Sequence, residues 1–236
     1  MRWLMTAALI SAILTGSACS VEGDSHPDIS ARMVVATDFP AHLTPTSVEG
    51  AARTAVISDV VGDVRGGRVE PDGCAPKSLS SNPADSAVMV AQLPASSALP
   101  GTLTVVTTRV STPLSDVESQ VAQCKSYVRT NAAGALSTVR QAEIDLPKSP
   151  SASGVSTFGI ARTQTTGGSG PGGTGDSSLG IASKTYLAQR DGVRVYVVYR
   201  GVATAAAANA DPAQVSATAT ADLDALFAKA VLAAFG

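Results

Sequence analysis

Three cysteines carry most of the chemistry that the residue types of this chain allow. Cys19 follows Gly16-Ser17-Ala18 directly behind an apolar run, where its thiol is placed to take a diacylglyceryl group through a thioether. Cys74 and Cys124 then form an even pair, and in an oxidising compartment the default reading of such a pair is a disulfide, with two separate buried thiols as the alternative. In the chain-entropy model, closing a loop of roughly 50 residues contributes roughly 4 kcal/mol, comparable to the net stability of a modest domain. A metal site is not expected, because the only histidines, His26 and His42, lie far from both cysteines and no Cys-x-x-Cys spacing occurs.

Other catalytic ingredients are thin. A serine nucleophile needs a base, yet His26 belongs to a polar stretch, His42 adjoins a proline-flanked turn, and no Gly-x-Ser-x-Gly elbow is present. Asp59 with Asp63, or Asp116 with Glu118, could be posed as the paired carboxylates of a glycosidase. Each lies on a predicted helix or at its end, where a solvated face is the commoner role. The glycine-rich Gly167-to-Gly175 segment lacks the Lys-Ser/Thr pair of a phosphate loop and reads as a surface loop. Arg109, Arg194 and Arg200, on predicted strands, are the candidate groove residues, although arginine on an exposed sheet face usually serves only solubility. No cofactor is expected, and the chain reads as non-catalytic, with an envelope hydrolase as the alternative.

The elements around these residues begin with an address. Arg2, the apolar Leu4-to-Leu14 run and small residues before Cys19 have the layout of a secretory signal over residues 1–18. Eleven helical residues rise about 16 Å, roughly half of a ~30 Å hydrocarbon layer, so the run is not a membrane span. Two processing outcomes fit. Lipoprotein processing would anchor the chain to the cell membrane through Cys19, which accounts for the odd cysteine. Gly16-x-Ala18 also suits ordinary signal peptidase, which would release a soluble protein, and Gly16 stands where a lipobox normally has Leu. Residues 19–30 read as a polar tether and 31–236 as one domain. The composition, 44% hydrophobic, 15% charged and 4% aromatic, suits one aliphatic core, and a net charge of -2 with no basic tract gives no reason to expect nucleic acid.

Within that domain, Pro45, Thr46 and the Thr46-x-x-Glu49 spacing predict a helix start, Val48, Ala52, Ala55, Val56 and Val60 its apolar face, and Gly62 its end. Pro71 to Pro76 can only be a loop, so Cys74 is a loop residue. Ala87 to Leu93 and Thr102 to Val110 read as strands. A second helix, opened by Pro113, carries Leu114, Val117, Val121, Cys124 and Val128 along one stripe. Ala135 to Leu146 and Val155 to Thr163 are further strands. Asp191-Gly192 predicts a type I′ turn between Leu179-to-Gln189 and Val193-to-Tyr199, with Val193, Val195, Val197 and Tyr199 on the core face. Asp211 and Pro212 start a last helix that runs to the C-terminus. Strands in hairpins with interspersed helices define an α+β class: a mainly antiparallel twisted sheet, helices packed on one face, one disulfide.

The order of export signal, lipobox-like cysteine, tether, Phe39-Pro40, helix, Val69-Glu70-Pro71-Asp72-Gly73-Cys74, paired strands, Leu114-to-Cys124 helix, paired strands and C-terminal helix resembles a family of mycobacterial-type secreted lipoproteins of unknown function. That family is in turn similar to the extracellular sensor domain of mycobacterial receptor serine/threonine kinases. The resemblance covers about residues 30–236 and implies an antiparallel sheet with helices and a cleft for an envelope ligand. It supplies no catalytic residues. The expected partners are the membrane, through the anchor, and an envelope small molecule, lipid, glycan or protein; an accessory role in an envelope complex is a further alternative.

Overall fold

The computed structural model describes residues 28–63, 66–94, 100–147, 153–166, 180–204, 208–209, 211–215 and 220–236. The signal segment, Cys19, the tether up to residue 27 and the glycine-rich segment 167–175 lie outside the described residues. Asp28 accepts from the Ser30 amide at 2.9 Å, a short turn follows over Ile29–Arg32, and Ile29 is fully buried, so the expected tether ends before residue 29 rather than at 30.

Among the described residues, nine strands form one sheet: β1 (Pro45–Ser47), β2 (Arg68–Glu70), β3 (Ser86–Leu93), β4 (Gly101–Arg109), β5 (Ser126–Thr130), β6 (Leu136–Glu143), β7 (Ser156–Thr166), β8 (Gly180–Arg190) and β9 (Val193–Ala203). Their order is β1-β3-β4-β9-β8-β7-β6-β5-β2, and every neighbouring pair is antiparallel. Both edges are strands of three residues, too short to template pairing with another chain. Helices are α1 (Gly50–Val61), α2 (Leu114–Gln123), α3 (Pro212–Val215) and α4 (Thr220–Phe235). The α+β class, the antiparallel sheet and the Cys74–Cys124 disulfide are therefore present as expected.

Helices occupy both faces of the sheet, not one. On one face α4 packs Leu223, Leu226, Phe227 and Val231 against Val105, Val193, Val195 and Val197. On the other, Ile57, Val60 and Val61 of α1 and Leu114 and Val121 of α2 cover Val106, Leu187, Tyr196 and Val198. The reason lies in β9, whose residues of both parities are apolar apart from its arginines. A strand of that kind is covered on both sides.

Three boundaries move. Pro45–Ser47 is an edge strand on Met89–Ala91, and α1 starts only at Gly50, whose positive φ of 57° turns the chain out of the strand. Its buried stripe is Ile57, Val60 and Val61, while Ala52 and Ala55 face solvent. α2 ends at Gln123 and Val128 belongs to β5, because Tyr127-Val128-Arg129-Thr130 is β-branched and aromatic and fills a place between β2 and β6. The last helix is in two described pieces, the first capped by Asp211, which accepts from the Ala213 amide at 3.0 Å. Gly62 ends α1 in the left-handed region, and Asp191 and Gly192 at φ 50° and 71° make the primed turn that Asp-Gly predicts.

Candidate functional site

Strand register builds the face under α1 and α2 row by row. Arg162 of β7, Ser183 of β8, Arg200 of β9 and Thr102 of β4 stand directly opposite one another across four strands. Two residues along lies Ile160-Thr185-Val198-Thr104, then Phe158-Leu187-Tyr196-Val106, and beyond these Gln189-Arg194-Thr108. The face is thus apolar in its middle and carries guanidinium groups at both ends.

Two cavities open on it. The smaller, about 270 Å³, lies between α1 and the sheet and is lined by Asp59, Gln164, Ser183, Arg129, Arg162 and Arg200 among others. The larger, about 680 Å³, lies between α2, the loop after Cys74 and the sheet, with Leu79, Val117, Leu187 and Tyr196 as apolar walls and Arg109 and Arg194 as polar ones. Val60 and Arg162 line both, so the two chambers adjoin.

The disulfide holds one wall. Cys74 and Cys124, with Cα atoms 5.6 Å apart, are buried in a small cluster with Val69, Tyr127 and Val139. From there the chain runs along the mouth of the larger chamber. Gln120 of α2 donates to the Ala75 carbonyl at 2.7 Å, Lys77 pairs with Asp116 at 2.8 Å, and the Ser78 hydroxyl bonds Asp63 at 3.2 Å. Deeper in, Gln141 donates to the Cys124 carbonyl at 2.9 Å and accepts from Arg162 at 3.3–3.4 Å, and Arg162 also reaches the Val61 carbonyl at the end of α1. A polar relay therefore runs from the disulfide to the partition between the chambers.

The arginines differ in how fully they are used. Arg194 is 2% exposed and donates to Gln189 Oε1, the Tyr196 hydroxyl and the Thr112 carbonyl, at 2.7, 3.1 and 2.8 Å, so it pins the strand to the loop before α2 rather than offering its charge to a ligand. Arg200 pairs with Asp59 on α1. Arg162 contacts only neutral acceptors, and the Arg129 guanidinium makes no hydrogen bond or ion pair within the described residues. Burial lowers the pKa of Arg129; Tyr127 and Asp63 oppose that, and the neighbouring charge of Arg162 adds to it. Burial likewise lowers Arg200. The smaller chamber holds three guanidinium groups against one lining carboxylate.

The sequence candidates are thus divided between two chambers: Arg109 and Arg194 in the larger, Arg200 in the smaller. Arg194 is no solubilising surface residue, because the helices cover its face too. Sequence reasoning missed Arg129 and Arg162. Arg162 had a signal, as it shares parity with Phe158 and Ile160 of its strand, whereas Arg129 lay just past a predicted helix stripe. The posed carboxylate pairs are engaged separately, Asp59 by Arg200, Asp63 by Ser78 and Asp116 by Lys77. His42 sits 3.5 Å from exposed Asp222 on the α4 face, away from both chambers. Among the described residues no cluster of three His, Cys, Asp or Glu side chains is placed to hold a metal, and no helix is long and apolar enough to cross a membrane. No family model matches the chain, and no curated protein is significantly similar to it.

Proposed function

We propose that this is an exported, lipid-anchored, non-catalytic protein of the cell envelope whose sensor-like domain binds an envelope ligand in the cleft beneath α1 and α2. The observation that carries the reading is the larger chamber: at about 680 Å³ it has the size of small-molecule sites, and it combines an apolar floor with a few fixed polar groups. The disulfide-tied loop, bonded to α2 at Ala75 and Lys77, pre-forms its mouth. A pre-formed mouth reduces the ordering cost of binding. The leader and Cys19 support the address, and the resemblance to mycobacterial-type secreted lipoproteins and kinase sensor domains supports ligand capture rather than turnover.

Native mass spectrometry of the protein isolated from its own host tests this. The expected result is a mature form beginning at Cys19 with a diacylglyceryl adduct, replaced on globomycin treatment by a precursor that carries the same adduct and keeps the signal segment, together with a co-purifying non-covalent ligand. An unmodified N-terminal Cys19 removes the anchor; an empty cleft, with no thermal shift across envelope lipids and glycans, removes the binding function.

A further inference from the structure

We infer that the smaller chamber is a phosphate site, taking the phosphoryl group of a ligand whose remainder extends past Arg162 into the larger chamber. The inference rests on the proposed binding function and names the chemistry of the ligand. Three guanidinium groups, Arg129, Arg162 and Arg200, reach one pocket from three different strands, β5, β7 and β9. Ser183, Thr102, Thr104 and Gln164 add neutral donors around them. A cavity of about 270 Å³ is roomy for a lone carboxylate and accommodates a tetrahedral oxyanion with several acceptor oxygens. Guanidinium forks suit such oxyanions, and their bonds to ionised oxygens are about twice as strong as neutral ones.

Charge balance points the same way. Asp59 meets only Arg200, leaving Arg162 on neutral acceptors and the Arg129 guanidinium without a bonded partner among the described residues, with the unbonded charge of Asp63 acting on it. Partly desolvated positive charge of this kind is costly in isolation and is relieved by an anion. Asp59 itself acts as an internal competitor: its carboxylate holds the guanidinium that an incoming phosphate would use. The apolar continuation is equally specific. Val60 and Arg162 form the shared wall, so a phosphorylated head in the smaller chamber leaves its tail among Leu79, Val117, Leu187 and Tyr196.

Calorimetric titration of the mature protein with inorganic phosphate, dihexanoylphosphatidic acid and dihexanoylglycerol tests the inference. Wild-type protein is expected to bind the phosphatidic acid and not the phosphate-free diglyceride; inorganic phosphate binding nearly as well identifies a free phosphate compound as the source, and much weaker binding identifies a lipid. Arg129→Gln is expected to weaken phosphate binding about tenfold, the scale of one charge-assisted hydrogen bond. Asp59→Asn is expected to tighten it severalfold, a change that misfolding cannot mimic. Failure of both phosphate compounds to bind, or equal affinity in wild type, R129Q and D59N, overturns the inference. Binding of the diglyceride in that case leaves the cleft reading standing, whereas no binding of any probe together with an empty native mass spectrum removes both.

Discussion

The sheet face under α4 and the face under α1 and α2 are built from alternate residues of the same strands, yet one is sealed and the other is hollow. Under α4, Leu223, Leu226 and Phe227 are fully buried on a floor of valines, Arg190 donates to the Phe235 carbonyl at 2.6 Å, and Lys229 reaches the Asp38 carbonyl at 2.8 Å. Under α1 and α2, two short helices leave chambers between them, and arginines replace valines at both ends of the strands. A sixteen-residue helix spans enough of the sheet to close it; helices of twelve and ten residues do not. What closes the hollow face instead is covalent, the disulfide that fixes its loop. On the proposed reading, stability and binding fall on opposite sides of one sheet.

The largest expected effect comes from removing that tie. Replacing both Cys74 and Cys124 by serine should lower unfolding stability by about 4 kcal/mol, since the bridge closes 50 residues of chain. Its local effect should fall on the hollow face, with faster amide exchange in residues 75–80 and α2 than in α4. Equal loss of protection on both faces would break the comparison. Next, Leu226→Ala on the sealed face should cost about 3 kcal/mol in denaturant unfolding, because a fully buried leucine leaves a cavity its neighbours cannot fill. Ligand affinity should stay unchanged in that variant, whereas it should fall in the disulfide variant.

Sequence patterning made most of the strands legible, together with the Asp191-Gly192 hairpin, the loop position of Cys74 and its pairing with Cys124, because alternation, turn chemistry and cysteine parity are local or countable signals. The two-faced covering was also written in β9, in Tyr196 and Val198 between Val195, Val197 and Tyr199. It was obscured by Arg194 and Arg200, which look like solvent markers and are not. The cleft itself could not be read. Arg129, Arg162 and Arg200 lie on strands separated in the chain and become neighbours only through the order β9-β8-β7-β6-β5, which no short-range pattern encodes. β1 was mistaken for a helix start because Thr46-x-x-Glu49 has capping spacing, while its pairing with β3 is a long-range fact.

The smallest effect sharpens the contrast through two buried tyrosines. On the sealed face the Tyr186 hydroxyl donates to Asp224 at 2.7 Å, and burial, that hydrogen bond and the carboxylate's charge all raise its pKa. On the hollow face burial also raises Tyr196, but the Arg194 guanidinium against its hydroxyl opposes the rise. A tyrosine whose folded pKa lies above its unfolded value of 10.0 contributes stability that is intact below that pH and is lost as pH climbs toward the folded value, since only the unfolded chain ionises there. Lys184, lowered by burial, acts with the opposite sign below its unfolded value of 10.5, and one lysine does not offset the raised tyrosines above it. Stability measured by denaturant unfolding should therefore decline above pH 10. Tyr186→Phe should flatten that decline by about 1 kcal/mol over the first pH unit, and Tyr196→Phe should flatten it in the same direction. An undiminished decline in Tyr186→Phe would mean that the bond to Asp224 does not keep the phenol protonated in the folded chain, and the sealed face would then have no share in the loss of stability at high pH.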